Sequence, residues 1–147
     1  MLPEEQLLVI DALTPSLTDK SADVRKDALR CMIGFGLDGL GRIIDVLEDP
    51  ACDSACKCDA VHAIGYAFSE GKVGKSGIVK VAMKALENCL TKEELCSAAV
   101  VALGEIGPQA VAAKKNLLAM LDGKKGNNLL CVKIGAALLK ISPINNQ

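Results

Sequence analysis

One stretch of the chain decides its fold class, and it reads Leu95-Cys96-Ser97-Ala98-Ala99-Val100-Val101-Ala102-Leu103-Gly104-Glu105-Ile106-Gly107. Its apolar residues recur at the three- and four-residue spacing of one helical face, and the final glycine ends the pattern. Looser copies begin at Val24, Cys56 and Leu130. Successive copies are separated by roughly 32, 39 and 35 residues, a range typical of stacked helical repeats.

A second helical segment precedes each copy, and these segments end at Leu17, Leu47, Leu90 and Leu121. The sequence therefore predicts four helix pairs, at residues 2–36, 37–69, 75–107 and 108–142, in a single domain covering residues 1–147. One pair cannot bury both of its faces, so stacked pairs share a continuous core. The predicted fold is a right-handed, all-α solenoid.

The composition agrees with closely packed helices. Half of the 147 residues are apolar, yet only three are aromatic and none is Trp. A core of Ala, Leu, Val and Ile favours helices over a β-sandwich, which usually carries aromatic and β-branched runs. A chain of this length buries about two thirds of its unfolded surface on folding.

The net charge and the N-terminal sequence indicate which partners are expected and in which cellular compartment the protein is expected. The net charge is −1, which disfavours nucleic acid as the main partner. The N-terminus lacks the basic region of a signal peptide, and no apolar run approaches the roughly eighteen residues that a membrane span needs. We therefore expect a cytoplasmic protein with neither a membrane nor a nucleic-acid partner.

The repeated pattern is apolar-Arg-x-x-Ala-Ala-x-Ala-Leu-Gly-x-Ile-Gly, and in residues 95–107 it is matched by Ala99, Val100, Ala102, Leu103, Gly104, Ile106 and Gly107. Val24, Arg25 and Ala28 match it in the first copy. The pattern resembles the second helix of the short HEAT repeats of the phycobilisome-lyase type, and the resemblance covers nearly the whole chain. It implies a curved, armadillo-like α-solenoid that acts as a protein-binding scaffold.

The sequence departs from this family at one column. In such repeats an arginine commonly pairs with an acidic residue of a neighbouring repeat, but here the column reads Arg25, Lys57, Cys96 and Cys131. A ladder of charge pairs along the stack is therefore not expected. We expect apolar contacts alone to hold the C-terminal half.

Four residues resemble a metal site, because thiolates and imidazole are preferred zinc ligands: Cys52, Cys56, Cys58 and His62. At about 100° per residue, Cys58 and His62 point to roughly the opposite side of a helix from Cys56. One straight helix cannot bring all four to a tetrahedral ion, although a Cys52 in the preceding loop relaxes the geometry. We expect buried thiols and a surface imidazole, with no metal or cofactor.

Two further motifs carry little chemistry. Residues 71–76 end in the Gly-Lys-Ser of a phosphate-binding loop, but that motif needs four residues between its glycines and a preceding strand. A flexible loop between repeats is the better interpretation. Cys96 and Cys131 share a repeat column and are expected near each other on adjacent helices, as inert thiols without a nearby histidine.

No catalytic residue is predicted. His62 is the only histidine of the chain, which leaves no set of partners for conventional acid–base catalysis. The protein is therefore expected not to be an enzyme.

The second helices of a solenoid usually line its concave side, and the columns just off the core predict a partner-binding groove there. Its predicted members are Lys26, Asp27, Arg30, Asp59, His62, Tyr66, Val101, Glu105, Lys133 and Lys140. Val101, Val132 and Ala136 form an exposed apolar row, which is typical of a surface that a partner covers. Tyr66 is the expected anchor, and the groove is expected to change from polar at its N-terminal end to apolar at its C-terminal end.

These patterns predict a non-enzymatic scaffold or adaptor that binds another protein or peptide in the groove, with self-association as a further outcome. The resemblance also allows an alternative, an accessory factor of an enzyme or of a bilin-chromophore system that holds a ligand in an apolar groove. An apolar pocket near Tyr66 and His62 would favour the alternative, and an open groove would count against it.

Overall fold

The computed structural model describes residues 1–74, 77–123 and 126–145, and every regular element within those residues is helical. The all-α class is therefore confirmed. In chain order the elements are α1 (Pro3–Leu13), a 3-10 segment (Thr14–Thr18), α2 (Ala22–Gly34), α3 (Gly36–Glu48), α4 (Ser54–Ser69), α5 (Ile78–Cys89), α6 (Glu93–Ile106), a second 3-10 segment (Gly107–Ala113), α7 (Lys114–Gly123) and α8 (Asn128–Ile141).

Each copy of the repeated pattern forms one α-helix, so the four copies are α2, α4, α6 and α8. One column of the pattern is buried in every copy, and its members are Ala28, Ala60, Ala99 and Ile134. The predicted helix after Pro108 is different, because residues 107–113 form a 3-10 segment and the α-helix begins only at Lys114.

Two rows of helical elements pack against each other. In the first row, α2, α4, α6 and α8 contact one another in chain order. In the second row, the first 3-10 segment, α3, α5 and the second 3-10 segment do the same, and they also contact the first row. One cluster of buried apolar residues extends from Ile10 to Ile141 and includes residues of both rows.

Local polar contacts fix the helix ends. The Asp53 carboxylate caps α4 by accepting a hydrogen bond from the Cys56 N–H at 2.9 Å. At the start of α8 the Asn127 side chain accepts from the Leu130 N–H at 3.1 Å. The α6 helix ends at Gly107, whose φ of 71° lies in the left-handed region that favours glycine.

Polar contacts between helices correct one expectation. In the first interface the Arg25 Nε donates to the Asp59 carboxylate at 2.9 Å, from α2 to α4. In the C-terminal half the Lys133 ammonium donates to the Ser97 hydroxyl at 2.6 Å, and Lys140 forms an ion pair with Glu105. The expectation that apolar contacts alone hold this half is therefore wrong, because lysines of two other columns reach back from α8 to α6.

Among the described residues, one helical stretch is long and apolar enough to span a membrane by length and composition, Glu93–Gly123. The expectations from sequence did not anticipate it. The stretch departs from helical geometry at Ala110, and 56% of its most apolar window is buried inside the fold. Such burial is also a property of helices that pack in a protein core.

Candidate functional site

A groove crosses α2, α4, α6 and α8, and its lining residues all belong to these four helices. We call this surface the second-helix face. Three adjoining depressions form the groove, with volumes of about 580 Å³ between α2 and α4, 200 Å³ between α4 and α6, and 80 Å³ between α6 and α8. His62 and Tyr66 line both the first and the second depression, and Val101 lines both the second and the third. The groove is therefore continuous across four helices.

Most of the residues predicted from sequence meet along this groove. Those that line it are Lys26, Arg30, Asp59, His62, Tyr66, Val101, Glu105, Lys133 and Lys140. Asp27 is not among the lining residues; its carboxylate lies 3.3 Å from the Arg30 guanidinium, and both side chains are exposed. Tyr66 is 51% exposed, as an anchor residue requires.

The widest depression, which we call the α2–α4 cleft, has an apolar floor. Leu29, Ile33 and Ala63 form that floor. Sequence reasoning assigned none of these three to the site, because it drew the groove only from the columns just off the core, and all three residues are buried. Lys26, Arg30, Cys58, Asp59, His62 and Tyr66 surround the floor.

One column of the repeat explains why the groove is widest at this end. The column holds Gly65 in α4 and Gly104 in α6, and a Cβ on either glycine would lie 3.0–3.3 Å from the Cα and Cβ of an alanine in the next helix. In α2 the same column holds Ile33. Glycine lets two helices approach closely, whereas a bulky side chain holds them apart. The α2–α4 interface is accordingly less extensive than the α4–α6 interface.

The carboxylates beside the cleft already have cationic partners. Asp59 accepts from Arg25, and this side-chain hydrogen bond raises the pKa of the Arg25 guanidinium. Arg25 also donates to the backbone carbonyls of Asp19 and Lys20, at 2.9 and 3.2 Å. Asp27 pairs with Arg30. Neither Asp59 nor Asp27 is therefore left to neutralise a further cation.

Several donors at the rim lack partners. In the part of the chain that the structure describes, the Lys26 ammonium, the His62 imidazole and the Tyr66 hydroxyl form no hydrogen bond or ion pair. Burial raises the pKa of the Cys58 thiol, and the negative charge of Asp59 raises it further. A thiol with a raised pKa stays protonated near neutral pH and is a poor nucleophile.

Polar and apolar side chains line both ends of the groove, so the expected change from polar to apolar along it stays a prediction. The N-terminal cleft has an apolar floor, while Lys133, Lys140 and Glu105 line the C-terminal half. The three residues of the predicted apolar row are nevertheless exposed, with Val101 at 41% and Val132 at 68%. Polar and apolar groups therefore alternate along the whole groove.

The zinc-like cluster is spread over different environments. Cys52 precedes α4, Cys56 is buried, and Cys58 and His62 lie at the cleft. Across residues 1–74, 77–123 and 126–145, no three His, Cys, Asp or Glu side chains lie where they could hold one metal ion. All seven cysteines are in the described residues and form no disulfide, including Cys96 on α6 and Cys131 on α8.

The second weak motif is only partly described. Residues 71–74 form neither helix nor strand, as expected of a loop. Lys75 and Ser76, which carry the likeness to a phosphate-binding loop, lie outside the described residues.

No protein-family model matches the chain, and no curated protein matches it in sequence. The function is therefore inferred from the geometry of the groove and from the repeat pattern.

Proposed function

We propose that the protein is a non-enzymatic adaptor of the HEAT-repeat type, an α-solenoid whose concave side is the second-helix face and binds a segment of another protein. The observation that carries the proposal is the continuous groove with Tyr66 exposed where its first two depressions meet. Covering the exposed half of a tyrosine removes on the order of 100 Å² from water, about 2 kcal/mol of favourable transfer free energy before the costs of association.

The shape of the groove favours an extended chain. Its depressions open to solvent and share their lining residues, so one chain can cross all four helices. Alternating polar and apolar groups also suit a peptide, whose side chains and backbone need both. The net charge of −1 disfavours nucleic acid, and we place the protein in the cytoplasm.

A second candidate is an accessory factor that holds a small ligand for an enzyme or a chromophore system. The α2–α4 cleft favours it, since about 580 Å³ lies within the roughly 300–1,000 Å³ of ligand pockets. The open connection of this cleft to the next depression counts against an enclosed ligand, so the adaptor remains our proposal.

The test is affinity purification from cell lysate, followed by mass spectrometry, with wild-type protein and the double variant Tyr66→Ala, Arg30→Ala. Both side chains are exposed, so the melting temperature should change little while a specific partner is lost. The matched control is Val81→Ala with Lys84→Ala, which removes an exposed apolar and a cationic side chain from α5 in the other row. The control should retain the partner.

Any one of three results would contradict the proposal. No protein is specifically enriched, or the Tyr66→Ala, Arg30→Ala variant retains the same partner as wild type, or that variant unfolds.

A further inference from the structure

We propose that the α2–α4 cleft binds an acidic peptide segment that inserts one apolar side chain into its floor. This inference rests on the proposed adaptor function and deepens it by naming the chemistry of the partner. Shape, unpaired donors and the contrast with the rest of the groove each support it.

The shape comes from the scaffold. Ile33 replaces the glycine that lets α4 and α6 approach their neighbours, and the wider spacing exposes part of Leu29, Ile33 and Ala63 at the bottom of the cleft. These residues are 4–8% exposed and lie at the base of about 580 Å³ of open space. An apolar side chain of a partner can therefore reach core residues without unfolding the helices.

The rim supplies more free donors than free acceptors. Lys26, His62 and Tyr66 have no partners in the described structure, and the exposed Arg30 guanidinium engages Asp27 through one nitrogen only. The carboxylate at the cleft wall, Asp59, is held by Arg25. An occupant that complements this rim carries acceptors and negative charge, and aspartate and glutamate side chains provide both.

The rest of the groove has fewer donors that lack a partner. Lys133 donates to Ser97, and Lys140 pairs with Glu105. Acidic residues of a partner therefore gain most at the α2–α4 end, while the exposed Val101 and Ala136 accept apolar residues farther along. The partner is thus expected to carry its acidic residues next to the side chain that enters the cleft.

The experiment selects a random linear peptide library, displayed on phage, against the folded wild-type protein. Enriched sequences should place Asp or Glu within a few residues of Leu, Ile, Met or Phe. Synthetic, fluorescein-labelled copies are then titrated by fluorescence polarisation. The double variant Lys26→Glu, Arg30→Glu should raise Kd by roughly tenfold or more, and the wild-type Kd should rise with salt.

The matched control is Lys80→Glu with Lys84→Glu, which has the same four-residue spacing on the exposed side of α5. This control should leave Kd unchanged, although it alters the net charge equally. Circular dichroism melting checks that each variant folds. If the charge reversal unfolds the protein, Lys26→Gln with Arg30→Gln replaces it and should still weaken binding.

The inference is overturned if no peptide is enriched, if the enriched peptides lack acidic residues, or if the charge-reversed protein binds them as tightly as wild type. A Val101→Glu variant separates this failure from failure of the adaptor proposal. If Val101→Glu loses the cellular partner while the charge reversal at Lys26 and Arg30 has no effect, the groove still binds the partner. The acidic occupant is then rejected. No effect of either variant on the partner rejects both.

Discussion

Gly39 lies in close contact with the backbone of α2 at the corner between α2 and α3. A Cβ built on it would lie 1.9 Å from the backbone carbonyl oxygen of Met32, far inside van der Waals contact. Met32 is fully buried and cannot shift without disturbing the core. Only glycine fits at this position. Gly41 lies two residues later in the same helix, and a Cβ built on it would have no atom within 4 Å.

These two glycines give a matched pair of predictions. Gly39→Ala should lower the free energy of unfolding by about 3 kcal/mol, because the corner must open to admit the methyl group. Gly41→Ala should raise it by roughly 0.5–1 kcal/mol, because alanine loses less backbone entropy in a helix. Urea denaturation followed by circular dichroism measures both. An increase in stability for both variants would show that the corner is looser than this contact implies.

At the scale of the element, the N-terminus of α4 depends on one carboxylate. The hydrogen bond from the Cys56 N–H lowers the pKa of Asp53. A carboxyl whose pKa is lower in the folded state stabilises the fold above its unfolded pKa, and this stabilisation is lost as pH falls through the folded value. The start of α4 therefore carries an acid-sensitive contribution to stability.

Asp53→Asn tests this contribution. The asparagine keeps a side-chain oxygen that can cap the helix but does not titrate. The melting temperature of wild type minus that of the variant should fall as pH is lowered from neutral to roughly pH 3, because the wild-type carboxylate at this position is neutralised and the variant's amide is not. The other carboxyls titrate in both proteins and cancel. A difference that stays constant over this range would show that the Asp53 charge adds nothing.

At the scale of the whole molecule, the helices of the first row are held unequally. The α6 helix packs extensively on α4 and on α8, with Gly65 and Gly104 at the close contacts. The α2 helix packs less extensively on α4, across the cleft that Ile33 holds open. The N-terminal end should therefore open more easily than the centre.

Hydrogen–deuterium exchange measured by mass spectrometry tests this order. Core amides of α2 should exchange roughly tenfold faster than those of α6, the ratio that corresponds to about 1.4 kcal/mol of opening free energy. A peptide bound in the α2–α4 cleft should slow exchange in α2 more than in α8. Equal protection of α2 and α6 in the free protein would contradict the unequal packing.

Local patterns anticipated much of the candidate site. The residues just off the core in each copy could be placed on one surface, because a helical face follows from the three- and four-residue spacing alone. The cleft floor was missed, although the column that holds Ile33, Gly65 and Gly104 carried the signal. The size of the side chain in that column sets the distance between neighbouring helices. This effect exists only once the helices are packed together.

By itself the sequence determined the all-α class and the positions of the repeated helices. It also determined which side chains lie outside the core-facing side of each helix. These properties depend on contacts within one or two helical turns. Only the tertiary structure decided the width of the groove and the partners of its charges. The width depends on how closely two helices approach, as at Gly104 and at Ile33. The partners depend on how far long side chains reach, as when Arg25 engages Asp59 and leaves Lys26 unpaired.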